Sequence, residues 1–290
     1  MPWKEPMILK DKNVLVTGAG SGIGRAIALK CASEGANVLL FGRSESTLVE
    51  TSTQISRTGG MSHVFVCDIA SEDSVKRALS AVHDICGPVD VLVNNAGVQL
   101  PIGPLNRVDL KDWKRNVEVN LFGTVHVIRG VLPDMMTRRS GKIINLSGGG
   151  STSPRPNFSA YAVSKTAIVR LTETLAGEFK EYGIDVNAVS PGAVNTKMLD
   201  EILVSGTLAG KEALDAEKRK AKGGDDPELA AELVCFLASS ESDGITGKLI
   251  SAKWDPWRDI QFQDQLRKDP DFAVLRRIDN RHFTKINGGT

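Results

Sequence analysis

Asn13-Val14-Leu15-Val16-Thr17-Gly18-Ala19-Gly20-Ser21-Gly22-Ile23-Gly24-Arg25 is the stretch that decides how this chain reads. A short, largely apolar and β-branched run enters a turn holding four glycines, and the turn opens directly into a helix-period pattern. Such glycines let the backbone turn tightly and approach a pyrophosphate, while the free N–H groups of a helix start favour its negative charge. The placement after a first strand, rather than the glycines alone, points to a dinucleotide-binding turn.

The same alternation continues outward. Strand-like runs at 37–41, 62–67, 90–94, 142–147 and 184–190 are separated by helix-period segments at 46–58, 71–86, 109–137 and 159–182. The strands are almost continuously apolar, as a parallel sheet covered on both faces requires. Beyond 190 a turn and a polar, Lys-rich helical stretch reach 224, followed by a helix at 227–238 and a short strand near 248–251. We therefore read 1–252 as one α/β domain, a three-layer doubly wound parallel sheet. Residues 253–290 are a C-terminal extension, expected to be structured because it keeps Trp, Phe, Leu and Ile among its charges.

Composition narrows the function. Lys and Arg total 36 against 35 for Asp and Glu, so no global field draws the chain to nucleic acid or an anionic membrane. No apolar run approaches the roughly eighteen residues of a membrane span, and the start lacks a leader pattern. The expectation is a cytoplasmic protein. Cys31, Cys67, Cys86 and Cys235 are scattered without a CxxC pair and read as buried thiols, and the four histidines lack zinc-site spacing, so no metal is expected.

At the end of the second strand, Gly42 is followed by Arg43 where the adenosine ribose would rest. An acidic residue there would accept from both ribose hydroxyls and repel a 2′-phosphate, whereas a guanidinium suits a phosphate. NADP is expected over NAD. Tyr161 and Lys165 stand four residues apart and share a helix face. An ammonium beside a phenol would lower the phenol's pKa and ready it for proton transfer near neutrality.

Taken in order, TGAGSGIG at 17–24, NNAG at 94–97, the Asn of VNLFG at 119–123, YAVSK at 161–165 and PGAVNT at 191–196 resemble the short-chain dehydrogenase/reductase family over about 9–249. The resemblance implies a Rossmann-type fold, a small-molecule substrate and assembly as a homo-dimer or homo-tetramer. It assigns Gly18, Ser21, Gly22, Ile23 and Gly24 to the phosphate-binding turn, Asp68 to adenine, and Asn95, Ala96 and Gly97 to the stretch beside the cofactor. Tyr161 matches the acid/base, Lys165 the residue that holds the nicotinamide ribose and tunes the tyrosine, and Asn120 the asparagine of the proton relay. Val194 and Thr196 match the contacts to the carboxamide. Asn94, Asn95 and Asn120 have a second reading, in which their amides satisfy buried backbone groups.

The pattern breaks in two places. The family's substrate-binding serine falls thirteen residues before the tyrosine, and that position here is Gly148. Ser147 is adjacent, although strand alternation points it to the other face; Ser151, Ser153, backbone or water are the other candidate donors. After the last strand, Ser251-Ala252-Lys253-Trp254 departs from the family's usual ending, so the extension is expected either to wrap a neighbouring subunit or to cover the site. Its Arg276, Arg277, Arg281 and His282 read as a solvated basic segment more readily than as an anion site. The resulting expectation is an oxidoreductase moving hydride between nicotinamide and a carbonyl or secondary alcohol. The alternatives are a dehydratase or epimerase on the same fold, or a cofactor-binding protein without turnover.

Overall fold

The computed structural model describes residues 7–277. β1 (Asn13–Thr17), β2 (Asn37–Gly42), β3 (Met61–Val66), β4 (Val91–Asn94), β5 (Gly141–Leu146), β6 (Ile184–Ser190) and β7 (Leu249–Ser251) form one sheet in the order β3-β2-β1-β4-β5-β6-β7. Every pairing is parallel. The order reverses between β1 and β4, and the crevice that a ligand can enter opens there, at the carboxyl ends of the strands.

The connecting helices are α1 (Gly22–Ser33), α2 (Glu45–Arg57), α3 (Glu72–Cys86), α4 (Leu110–Val117), α5 (Gly123–Arg138), α6 (Ser159–Phe179), α7 (Lys197–Ser205), α8 (Lys211–Lys222), α9 (Pro227–Ala238) and α10 (Ile260–Lys268). Their starts are chemically marked: Ser71, Asp109, Asp226 and Asp259 each accept a backbone N–H of the first turn, and Pro227 fills the first helical position of α9.

Successive strand residues feed opposite layers. Val14, Val16, Val38, Leu40, Val93 and Ile144 pack with α1, α2 and α9, whereas Leu15, Leu39, Leu92, Ile143 and Val186 pack with α3, α5 and α6. Each fully buried Leu, Ile, Val or Phe among them contributes about 1.5–3 kcal/mol over an exposed one. This is the doubly wound Rossmann-type arrangement expected.

Two boundaries and one burial differ from the reading above. The helix expected at 109–137 is interrupted by a π-helical turn at Glu118–Phe122, where the Asn120 side chain is buried and bonded to a neighbouring loop. β5 stops at Leu146, one residue before Ser147, because only the Ser147 N–H continues the ladder, to the Val189 carbonyl at 2.8 Å. Cys86 is partly exposed rather than buried, whereas Cys31 and Cys235 meet as free thiols at 3.6 Å where α1 packs on α9.

The segment following β7 folds back on its own chain. Trp257 and Leu266 join the α1–α9 core, with the Trp257 ring 5.6 Å from that of Phe236. The Leu249 N–H of the edge strand donates to the Ala273 carbonyl, and the Lys248 ammonium reaches the Asp269 and Phe272 carbonyls. Arg276 is ion-paired to Glu173 of α6 and to Asp271, so it is held by its own chain. Arg281 and His282 lie outside the described residues. No helix among the described residues is long and apolar enough to cross a membrane, and no group of three His, Cys, Asp or Glu there is arranged to hold a metal ion.

Candidate active site

The glycine turn is shaped by close backbone approach. A Cβ at Gly24 would lie 2.2 Å from the Gly18 carbonyl oxygen and 2.4 Å from Asn95 Nδ2, so only glycine fits. Gly18 and Gly22 take positive φ, and a Cβ on Gly22 would meet the Thr196 methyl at 3.1 Å. Ser21 precedes α1 without capping it, and the first turn of α1 holds no acidic residue. The helix start thus keeps its amide donors and positive dipole end for an anion.

The strand ends brace this turn. Thr17 Oγ1 accepts the N–H groups of Asn95 and Ala96, both at 3.0 Å, and Asn95 Nδ2 donates to the Thr17 carbonyl at 2.9 Å. Asn94 and Asn145 bond each other across β4 and β5, with Thr172 of α6 beyond. Thr196 caps α7 through the Met198 N–H, and Val194 bridges to Asp225. Asp68 is engaged by Arg115 at 3.2 Å and by the Ala70 N–H, and Arg43 is exposed at the end of β2.

Asn120 is bound through both ends of its amide to the backbone of one residue: Oδ1 accepts the Val98 N–H at 2.8 Å, and Nδ2 donates to the Val98 carbonyl at 2.9 Å. Asn116 Oδ1 and Ser164 Oγ complete its surroundings at 2.9 and 3.0 Å. A Cβ at Gly97 would sit 3.0 Å from Asn120 Oδ1 and 3.6 Å from the Lys165 ammonium, so these two groups flank one point.

Lys165 is buried and donates to the Leu146 carbonyl at 2.8 Å. Burial lowers its pKa to about 8, because the charged form loses its hydration. Between about 8 and the ordinary 10.5, the unfolded chain keeps a proton that the folded chain has released, so folding stability rises with pH across that window. Lys165→Met should abolish that rise, up to roughly 3 kcal/mol, in urea titrations on either side of it. Parallel pH profiles for variant and parent would contradict the assignment.

Tyr161 corrects an expectation. Its phenol pKa is raised, first by burial and despite the nearby Arg155, with Glu212 adding to the rise. Lys165 Nζ lies 5.8 Å from the ring centre and bonds Leu146 instead, so the predicted lowering by the ammonium is absent. The ring is buried in one apolar cluster with Ile102, Phe158, Leu199 and Ile202, the last two from α7.

Gly148 faces the tyrosine. A Cβ there would lie 2.4 Å from Tyr161 Oη, so the hydroxyl already occupies the space of a side chain at 148. Ser147 is buried and its Oγ has no hydrogen-bond partner, Ser151 is buried, and Ser153 is exposed.

One feature escaped the sequence reading. Arg155, between two prolines in the β5–α6 loop, clasps Glu212 of α8 through Nε and one terminal nitrogen, each at 2.5 Å. The same nitrogen is 3.3 Å from Gln99 Oε1, and the guanidinium lies 5.4 Å from the Tyr161 ring centre. The Pro-Arg-Pro stretch was the available signal, but nothing local identifies a partner 57 positions away.

Residues 12–204 match the short chain dehydrogenase family. The chain is 36% identical over 243 residues to 3beta-hydroxysteroid dehydrogenase 1 of Eggerthella lenta, covering 82% of this chain and 91% of that one. Among solved structures it resembles NAD+-bound xylitol dehydrogenase, with TM-score 0.79 and 29% identity over 86% of this chain and 98% of the other. It also resembles a gluconate 5-dehydrogenase from Burkholderia cenocepacia in complex with NADP and tartrate, with TM-score 0.75 and 29% identity over 85% and 95%.

Proposed function

Because this chain belongs to the short-chain dehydrogenase family, an oxidoreductase family, we propose that it interconverts a carbonyl and a secondary alcohol with Tyr161 as the acid/base. The observation that carries this reading is the convergence of Tyr161, Lys165, Asn120 and the glycine turn on the crevice beside β4. The glycine cradle and the uncapped start of α1 fit a pyrophosphate, held by Gly18, Ser21, Gly22, Ile23 and Gly24. Asp68, Asn95, Ala96, Gly97, Val194 and Thr196 would line the rest of the cofactor, which supplies or accepts the hydride when bound.

The chain's own groups then manage the proton. A buried phenol with a raised pKa is protonated at neutral pH, the form that donates to a carbonyl oxygen. Lys165, titrating near 8, and Asn120 flank the Gly97 position, and in this reading they return the proton to Tyr161 from solvent. Asn120 also positions the wall of the site through the Val98 backbone. In this reading the second donor to the substrate oxygen comes from Ser147, whose Oγ is buried without a partner, once the glycine run at 148–150 turns it from the face opposite the Gly148 position. Absorbance of NADPH against a panel of ketones and secondary alcohols tests the reaction; no net change with any of them, alongside substrate-dependent water loss or inversion, would favour a dehydratase or epimerase, which Gly148 keeps in view.

Exposed Arg43 supports NADP over NAD. NADPH should bind more tightly than NADH by calorimetry, and Arg43→Ala should close most of the gap, about tenfold for one phosphate contact of 1.4 kcal/mol. Equal affinities in the parent protein would refute it. The exposed Leu110 of α4 and Phe122 of the π turn that follows it support assembly as a dimer or tetramer. Light scattering at micromolar concentration should give a multiple of the chain mass, and a monomer would count against it.

A further inference from the structure

We propose that Arg155 recognises a carboxylate on the substrate, and that Glu212 is the chain's own occupant of that position, displaced when such a substrate enters. The inference rests on Tyr161 facing the reacting carbon, because the guanidinium 5.4 Å from its ring places the recognised group within a few bonds of that carbon.

The site is built. Arg155 presents its fork to two carboxylate oxygens at 2.5 Å each, the two-point geometry in which a guanidinium holds any carboxylate. The Phe158 ring lies 3.9 Å beneath it and fixes its plane. The glycine run makes room for this arrangement: a Cβ at Gly150 would meet Arg155 Cβ at 3.0 Å, and Gly149 lies under the guanidinium. Gln99, which accepts from Arg155, is itself tied to the Met198 carbonyl of α7.

The two partners are unequally placed. The Arg155 side chain is 13% exposed and Glu212 31%. Opening the pair rehydrates the carboxylate at small cost but leaves a buried cation without an anion, which is strongly unfavourable. A substrate carboxylate exchanges one anion for another and keeps Arg155 satisfied. A neutral ketone or ester cannot displace Glu212 without leaving that charge unpaired, so the pair selects for acids.

Calorimetry of the full chain in the presence of NADP+ tests this without turnover, using 4-oxopentanoate and 5-oxohexanoate against their methyl esters. The acids should bind at least about tenfold more tightly than the esters. Arg155→Met should erase the difference between acids and esters, Arg155→Lys should leave part of it, and Glu212→Gln should tighten the acids. Equal binding of acids and esters by the parent protein overturns the proposal. So does a Glu212→Gln variant that loses acid binding as Arg155→Met does, since the pair would then be a clasp for α8. Arg155-dependent acid binding without NADPH consumption would reject the oxidoreductase reading and leave this one standing; NADPH consumption without acid preference would do the reverse.

Discussion

Tyr161→Phe is expected to lower turnover by about 100- to 10,000-fold while leaving NADPH affinity nearly intact, the scale of a lost general acid/base. Only the hydroxyl is deleted. The ring keeps its place among Ile102, Phe158, Leu199 and Ile202, so folding should be undisturbed. The phenol is buried and its pKa raised, hence a proton is present at neutral pH for donation to a carbonyl oxygen. Reduction should therefore show an activity limb falling only at alkaline pH, and the variant should lack that limb. Stopped-time NADPH consumption by both proteins at matched cofactor saturation decides the matter. Undiminished activity in Tyr161→Phe would remove the tyrosine from the reaction.

The second large effect is expected at Gly148. Its backbone is ordinary, so space rather than strain demands glycine: an added Cβ would stand 2.4 Å from Tyr161 Oη and 3.1 Å from Cζ. The phenol cannot retreat cheaply, because its ring is buried in one cluster with Phe158 and with Leu199 and Ile202 of α7. Gly148→Ala should cost about 1–3 kcal/mol of stability by overpacking. Displacing the hydroxyl by about 1 Å should cost turnover roughly 100-fold. Gly148→Ser adds the same carbon with a hydroxyl and should fall with it. A gain in turnover for Gly148→Ser would show instead that Tyr161 moves aside and that the missing donor limits the reaction. Ser147→Ala completes the comparison, since a large loss with NADPH binding retained assigns the buried, unpartnered Ser147 Oγ to the substrate oxygen.

Much of this molecule is legible from neighbours along the chain. Strand and helix periods, the glycine turn from Gly18 to Gly24 and the shared face of Tyr161 and Lys165 are local properties, set by sterics and spacing over a few residues. The alternation of those elements was enough for the doubly wound sheet, because a parallel sheet with apolar strands must be covered on both faces. Four features were decided by tertiary structure. The π turn at Glu118–Phe122 accompanies a bond from Asn120 to Val98, 22 positions away. The extension closes the β7 edge because Trp257 and Leu266 find the α1–α9 core. Arg155 finds Glu212 only when α8 folds over the β5–α6 loop. The upward shift of Tyr161, opposite to what its spacing from Lys165 suggests, comes from the burial that α7 and Phe158 impose. Periodicity and turn chemistry are encoded where they act, whereas desolvation and ion pairing depend on groups that folding brings together from far along the chain.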